Sequence, residues 1–236
     1  MITFEMTQPQ EEDFFVALSD ALLADGRGAE ALAAIDEASM IGPSRHLLRR
    51  ARIAALDGDR HGAQSALREL IALYPLDGIP LWLYATLCAP EDVPTFMSDL
   101  DAALARLHPG DEPWDFVGAS LLVVGGQEIR ARAALAAGYA RDCVTLAPGP
   151  DRDNCQAWYW ALGAERLPEA QQRIAGALVA RPWSSAFHDT VAMVAFAAGD
   201  RERAREEAWE AARLAPDDPY LLWQVARFDA TFLRRP

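Results

Sequence analysis

The recurrence of small and apolar residues at fixed distances before a proline constrains the fold of this chain most strongly. Four prolines have such residues at positions −12, −8 and −5. These are Ala31, Ile35 and Ala38 before Pro43; Ala63, Leu67 and Leu70 before Pro75; Ala170, Ile174 and Ala177 before Pro182; and Ala204, Ala208 and Ala211 before Pro216. Spacings of four and three residues place these side chains on one face of a helix. The pattern, called the repeat frame below, predicts a helix that packs closely against a neighbour.

Two weaker copies fill the space between the strong ones. They are Met97, Asp101 and Leu104 before Pro109, and Ala136, Ala140 and Cys143 before Pro148. The six prolines then lie 32, 34, 39, 34 and 34 residues apart. A glycine 17 residues before the proline (Gly26, Gly58, Gly199) suits the turn that ends a first helix, and the aspartates beside it suit turns and helix caps. Each copy therefore predicts two helices, and the copies bury their apolar faces by stacking.

This pattern resembles the tetratricopeptide repeat (TPR), a 34-residue helix-turn-helix unit, over nearly the whole chain. In that register the large residues of the family fall at Phe15, Leu18 and Leu47, and its small eighth residue falls at Ser19, Ala51 and Ala192. The sequence departs from the family pattern at Asp101 and around "HPGDEPWDF". Some relatives hold a peptide carboxylate with Lys and Asn, and both are missing here at the corresponding positions.

The predicted fold class is all-α: a right-handed α-solenoid of about six TPR-like repeats and about thirteen helices. Residues 1–236 form a single domain in this prediction. The repeats end near Pro43, Pro75, Pro109, Pro148, Pro182 and Pro216, and a capping helix lies within residues 217–236. The segments 108–113 and 147–154 are the expected places for bending.

The charge balance excludes two classes of partner. The formal net charge is −13, whereas nucleic acid and anionic membrane surfaces need a basic protein. All the Lys+Arg residues are Arg, which with the high Ala content is typical of a GC-rich bacterial genome. Neither partner class is expected.

Cysteine content and the N-terminal residues favour a cytoplasmic protein. Cys88, Cys143 and Cys155 are odd in number and form no C-x-x-C motif, so reduced thiols are expected. Cys143 is expected to be a small buried side chain, whereas the role of Cys155 stays open. The N-terminus has acids where a signal peptide has bases, and no apolar run is long enough for a membrane span.

The sequence predicts no enzyme, no cofactor and no metal site. Neither a phosphate-binding loop nor a dinucleotide fingerprint nor H-E-x-x-H is present. "SSAFHD" (184–189) predicts a Ser cap and not a catalytic triad, because its residues share one helical turn. "VVGGQE" (123–128) predicts the corner between two helices.

One predicted helix face carries a row of three arginines, Arg45, Arg49 and Arg52, which we call the Arg row. It lies within residues 44–75, the only repeat with a positive net charge. Residues 1–43 hold nine acids and one Arg, net −8, whereas residues 44–75 hold six Arg and three acids, net +3. The row is one candidate site for an acidic partner segment. The alternative is an internal ion-pair seam with Asp13 and Asp20 of the neighbouring first helix.

The resemblance implies that first helices line an inner groove. The lining positions would be Arg45, Arg49, Arg52, Asp20, Trp82, Thr86, Gln156, Tyr159, Met193, Trp223, Gln224 and Arg227. Arg, Tyr, Trp and Met are enriched in the centres of protein interfaces. The leading hypothesis is a non-catalytic scaffold or adaptor that binds a protein or peptide segment, acidic if the Arg row contributes. The alternatives are an accessory substrate-recognition or assembly partner of a separate modifying enzyme, and a small-molecule sensor or unrecognised enzyme.

Overall fold

The computed structural model describes residues 8–38 and 42–229. Contacts divide the chain into two compact units, Met1–Tyr74 and Pro75–Pro236, called the first and the second unit below. The boundary falls at Pro75, where the second repeat is predicted to end. The single-domain interpretation of residues 1–236 stays a prediction.

The first unit consists of two helix pairs. Its helices are α1 (Gln8–Ala24), α2 (Gly28–Glu37), α3 (Pro43–Leu56) and α4 (Arg60–Leu73). Helix α1 packs on α2, α3 packs on α4, and α2 also contacts α3. The core contains Leu22, Ala31, Ala34, Ile35, Ala38 and Ile53, with Phe15 and Leu18 packed against it.

The second unit continues the same arrangement. Its helices are α5 (Gly78–Leu87), a 3-10 helix (Pro90–Asp92), α6 (Val93–Leu104), α7 (Trp114–Val124), α8 (Glu128–Asp142), α9 (Pro150–Leu162), α10 (Leu167–Ala180), α11 (Ser185–Ala197), α12 (Arg201–Leu214) and α13 (Pro219–Phe228). Helices α7 and α8, α9 and α10, and α11 and α12 form tightly packed pairs. Across the pairs, α5 packs on α7, α9 on α11, and α13 on α12 and α11.

The all-α fold class is confirmed: the described residues form thirteen α-helices packed in adjacent pairs. All twelve residues of the four strong copies of the repeat frame are at most 2% exposed. Ser19, Ala51 and Ala192 are fully buried, as the family register predicts. The predicted capping helix corresponds to α13, and residues 230–236 of that prediction lie outside the described residues.

The turns follow the predicted chemistry. Gly58 and Gly199 have φ of 87° and 86°, a left-handed conformation that glycine adopts without a steric penalty. The Asp59 side chain caps α4 by accepting from the Gly62 N–H at 2.9 Å. Asp200 caps α12 in the same way through the Arg203 N–H, at 3.1 Å.

The repeat frame is wrong in register for the two weaker copies. In α6, Asp101 is exposed, Met97 and Leu104 are only half-buried, and the buried face lies one residue earlier, at Phe96, Leu100 and Ala103. In α8, Ala136 and Ala140 are exposed, and the buried face includes Ala131, Leu135 and Gly138. These lie at +5, +9 and +12 from Gly126. The glycine turn directly precedes the helix, whereas residues 144–147 separate Pro148 from the C-cap residue of α8, Cys143.

Candidate functional site

The predicted Arg row lies on α3 of the first unit and contacts α1. The Nη1 of Arg49 lies 2.9 Å from Asp20 Oδ2, and the Nη1 of Arg52 lies 3.0 Å from Asp20 Oδ1. Arg45 is exposed on the same face, one turn earlier. The contact to Asp20 is the one that the ion-pair alternative predicts, whereas Asp13 makes none of these pairs among the described residues.

Two guanidinium groups share one carboxylate in this contact. The Arg49 side chain is 2% exposed, the Arg52 side chain 16% and the Asp20 carboxylate 36%. Burial lowers the pKa of the Arg52 guanidinium, and Asp20 opposes that shift. The Nε atoms of Arg49 and Arg52 are buried with no hydrogen-bond partner among the described residues. The contact therefore carries one positive charge in excess and two unsatisfied donors.

A second side of α3 pairs with α2. His46 Nε2 and Arg50 Nη1 lie 3.3 and 3.1 Å from Asp36 Oδ1. The Arg50 and Asp36 side chains are nearly half exposed, at 43% and 45%. The basic block thus bridges two acidic helices, which accounts for the opposite charges of the first two repeats.

Four aromatic rings meet in the second unit, each from a different helix. They are Trp82 of α5, Phe116 of α7, Trp158 of α9 and Tyr220 of α13, with ring centroids 5.7–6.5 Å apart in the contacting pairs. We call this group the aromatic cluster. Trp82 and Tyr220 are buried, whereas Phe116 and Trp158 are half-buried.

Arg227 brings three predicted groove residues together. Its guanidinium carbon lies 4.3 Å from the centroid of the Trp82 ring. Its Nη1 lies 3.6 Å from Met193 Sδ and 3.4 Å from Gln224 Oε1. Burial lowers the pKa of Arg227 to about 10. The structure therefore places Trp82, Met193 and Arg227 in one contact network.

The rest of the predicted groove in the second unit is largely buried. Gln156, Tyr159 and Trp223 are at most 6% exposed. Gln156 Nε2 donates to Tyr139 Oη at 2.9 Å, and Tyr159 Oη donates to Asp142 Oδ2 at 2.5 Å. Burial and Asp142 raise the pKa of Tyr159. Half-buried Thr86 donates to the Leu83 carbonyl at 2.6 Å. Partner binding by these residues stays a prediction, and Thr86 and Arg227 are the ones that keep partial exposure.

Asp189 is a buried carboxylate that the sequence analysis missed. It lies on α11, where its Oδ2 accepts from Tyr220 Oη and its Oδ1 from Gln224 Nε2, both at 3.2 Å. Burial raises the pKa of Asp189 to about 6, and these hydrogen bonds oppose the shift. The signal was an acid inside the apolar stretch "SAFHDTVAMVAF". "SSAFHD" otherwise behaves as predicted, because Ser184 caps α11 by accepting from the Phe187 N–H at 3.3 Å.

The prediction of reduced thiols is wrong for two of the three cysteines. Cys143 and Cys155 form a disulfide whose Cα atoms lie 5.5 Å apart. Cys143 caps the end of α8 and is fully buried, as predicted, but the loop before α9 returns Cys155 to it. A stable disulfide is rare in a reducing cytosol, so this pair weighs against the predicted cytoplasmic location, which stays a prediction.

Residues 8–38 and 42–229 lack two kinds of feature. Among these residues, no group of three or more His, Cys, Asp or Glu side chains could hold a metal ion. None of their helices has both the length and the apolar character that crossing a membrane requires.

The described residues define an all-helical protein built from helix-turn-helix pairs. No protein-family model and no curated protein matches the sequence. Among solved structures, the chain is similar to a thermophilic TPR protein from Thermus thermophilus, with 18% sequence identity and a TM-score of 0.37. That match covers 92% of this chain and 98% of the other.

Proposed function

We propose that the chain is a non-catalytic scaffold that binds a protein partner, and that the Arg row of the first unit contacts an acidic segment of that partner. Helix pairs that repeat along a chain expose long surfaces suited to extended ligands. The row combines exposed Arg45 with half-buried Arg52 and buried Arg49.

The observation that carries this proposal is the shortage of carboxylate at the row. Arg49 and Arg52 share Asp20, and their Nε atoms are unsatisfied. A guanidinium can donate two parallel hydrogen bonds to one carboxylate, so half-buried Arg52 and exposed Arg45 can accommodate a second acid beside Asp20. A glutamate or aspartate of a partner supplies the missing charge.

The test uses hexaglutamate as the probe and hexaglutamine as its neutral match. Fluorescence anisotropy should show that the full chain binds labelled hexaglutamate and not hexaglutamine. Binding should weaken with salt, because exposed charges are screened beyond about 8–10 Å at moderate ionic strength. Arg49→Ala/Arg52→Ala should abolish this binding, whereas Arg50→Ala, which alters the side of α3 that pairs with Asp36, should preserve it.

The same variants distinguish a partner-binding site from an internal ion-pair seam. If the row serves only as a seam, Arg49→Ala/Arg52→Ala lowers the melting temperature and leaves peptide binding unchanged. Asp20→Asn sharpens the distinction because it removes the competing carboxylate. The proposal expects this variant to bind hexaglutamate more tightly, and unchanged or weaker binding would contradict it.

A further inference from the structure

Asp115, Phe116 and Trp158 form a corner of two rings and one carboxylate in the second unit. The Phe116 and Trp158 rings are nearly perpendicular, with centroids 5.9 Å apart and an interplanar angle of 71°. The Trp158 Nε1–H donates to Asp115 Oδ2 at 3.2 Å, which holds the carboxylate beside the indole. All three residues are half-buried and keep part of their surface exposed to solvent. We call it the acidic aromatic corner.

The carboxylate of this corner makes no ion pair among the described residues, and Arg141, whose pKa Asp115 helps to raise, is paired with Asp142 instead. Within residues 8–38 and 42–229, no Arg or His nitrogen lies within 4.0 Å of Asp115. Its other hydrogen bonds come from the backbone N–H groups of Asp115 and Phe116 at the start of α7. Burial raises the pKa of Asp115, and the negative charge of Asp142 adds to that shift. A positive charge placed here would therefore be stabilised.

A guanidinium group already stacks on the adjoining ring. Arg227 lies over Trp82, whose centroid is 5.7 Å from that of Phe116 and 6.5 Å from that of Trp158. Arg227 also contacts the Phe196 and Phe228 rings, at 5.1 and 5.4 Å, and no cation lies over Phe116 or Trp158 among the described residues. The aromatic cluster thus accommodates one guanidinium from its own chain and leaves two half-buried rings beside it.

We propose that the acidic aromatic corner binds an arginine side chain of a partner protein. Ring faces attract cations through their quadrupoles, and Asp115 supplies the opposite charge. The proposal rests on the proposed function in that it requires a protein partner. It concerns a different site, which lies in the second unit. The partner residue bound there is positively charged, whereas the one bound at the Arg row is negatively charged.

The experiment compares N-acetyl-arginine methylamide with its neutral isostere, N-acetyl-citrulline methylamide. The probes are titrated into the ¹⁵N-labelled full chain, and the indole Nε1–H resonance of Trp158, assigned with Trp158→Phe, reports binding. The arginine probe should shift this resonance saturably, and the citrulline probe should bind at least about tenfold more weakly. Asp115→Asn should lower the affinity for the arginine probe about tenfold. Asp111→Asn, which alters an exposed acid four residues earlier, should leave that affinity unchanged.

Three results would overturn the proposal: no saturable shift, equal affinity for the two probes, or undiminished affinity in Asp115→Asn. The last result would leave Asp115 with a purely structural role at the start of α7. Phe116→Leu removes one ring and keeps the carboxylate of Asp115. This variant should bind the arginine probe severalfold more weakly. Asp115→Asn should leave hexaglutamate binding at the Arg row unchanged, so failure of one site is distinguishable from failure of the other.

Discussion

The two units of this protein use different interactions to connect their helices. In the first unit, α3 joins α1 and α2 through Asp20 and Asp36, which together engage four basic side chains. In the second unit, the aromatic cluster joins four helices, and the Asp189 network adds a link between α11 and α13. The first unit also has an apolar core, and the second also has ion pairs between helices, such as Arg173 with Asp153. The units differ in the largely buried contact of Arg49 with Asp20 in the first and the ring packing of the aromatic cluster in the second.

This difference shows what the repeat frame leaves undetermined. Small buried residues at fixed spacing, such as Ala31 and Ala204, bring the helices of both units together. They do not decide which side chains face the next pair. Those side chains decide how each unit responds to salt, pH and substitution, and the following experiments exploit this.

Removal of Trp82 should produce the largest effect. Trp82 is 1% exposed and contacts Phe116, Trp158, Tyr220 and Arg227. Trp82→Ala should lower the free energy of unfolding by about 3–5 kcal/mol, because it opens a cavity and removes the stacking partner of Arg227. Trp209→Ala provides the control, since Trp209 is 56% exposed, and it should change stability by no more than about 0.5 kcal/mol. Equal losses in urea denaturation would contradict a central role for the cluster.

Reduction of the disulfide should be the next largest effect. The bridge closes a loop with a sequence separation of 12, which corresponds to about 3 kcal/mol of stability. Unfolded, unreduced protein should show one reactive thiol, that of Cys88, and reduced protein should show three. A reductant should lower the melting temperature of the wild type and leave Cys143→Ser/Cys155→Ser unaffected. Three thiols before reduction would show that the bridge does not form.

Neutralising Asp20 should cost more than neutralising Asp36. Asp20→Asn leaves Arg49, which is 2% exposed, without a carboxylate, so a loss of about 2 kcal/mol is expected after allowance for the partial exposure of Asp20. Asp36→Asn breaks pairs that are nearly half exposed and should cost no more than about 1 kcal/mol. Chemical denaturation of the two variants at one pH gives the comparison, and the reverse order would remove the special role of Asp20.

The buried carboxylate of Asp189 should make the stability depend on pH. Its pKa is raised from 3.8 to about 6, so the folded state favours the protonated form. The resulting stabilisation is fully present below pH 3.8 and is lost as the pH rises through 6. Between pH 4 and pH 7, the stability of the wild type relative to Asp189→Asn should fall by about 2 kcal/mol. A difference that is independent of pH would mean that Asp189 keeps an ordinary pKa.

The sequence predicts the fold well because the repeat frame is local. The buried alanines, the glycine turns and the aspartate caps each depend on a few neighbouring residues. The register fails in α6 and α8, where the distance to the next proline changes but the helix does not. Counting from Gly126 instead of Pro148 gives the correct face of α8.

The candidate sites are predicted less completely, because they depend on contacts between distant residues. The opposite charges of the first two repeats allow two interpretations of the Arg row: pairing with Asp20 and binding of an acidic partner. Trp82, Met193 and Arg227 were assigned to one face, but Phe116 and Trp158 were not, and nothing in the sequence indicates that they form a corner. The disulfide was missed because the Cys143–Cys155 spacing matches no known motif.

Hydrogen exchange of the full chain at low salt and at about 1 M NaCl tests the contrast between the two units most directly. At about 1 M the screening length is about 3 Å, so exposed ion pairs lose most of their attraction, whereas apolar packing does not weaken. Amides of α2 and α3, which the nearly half-exposed pairs of Asp36 join, should lose protection at high salt, and amides of α5, α7 and α13 should keep or gain it. An equal change in both units, or a loss confined to the second, would contradict the account.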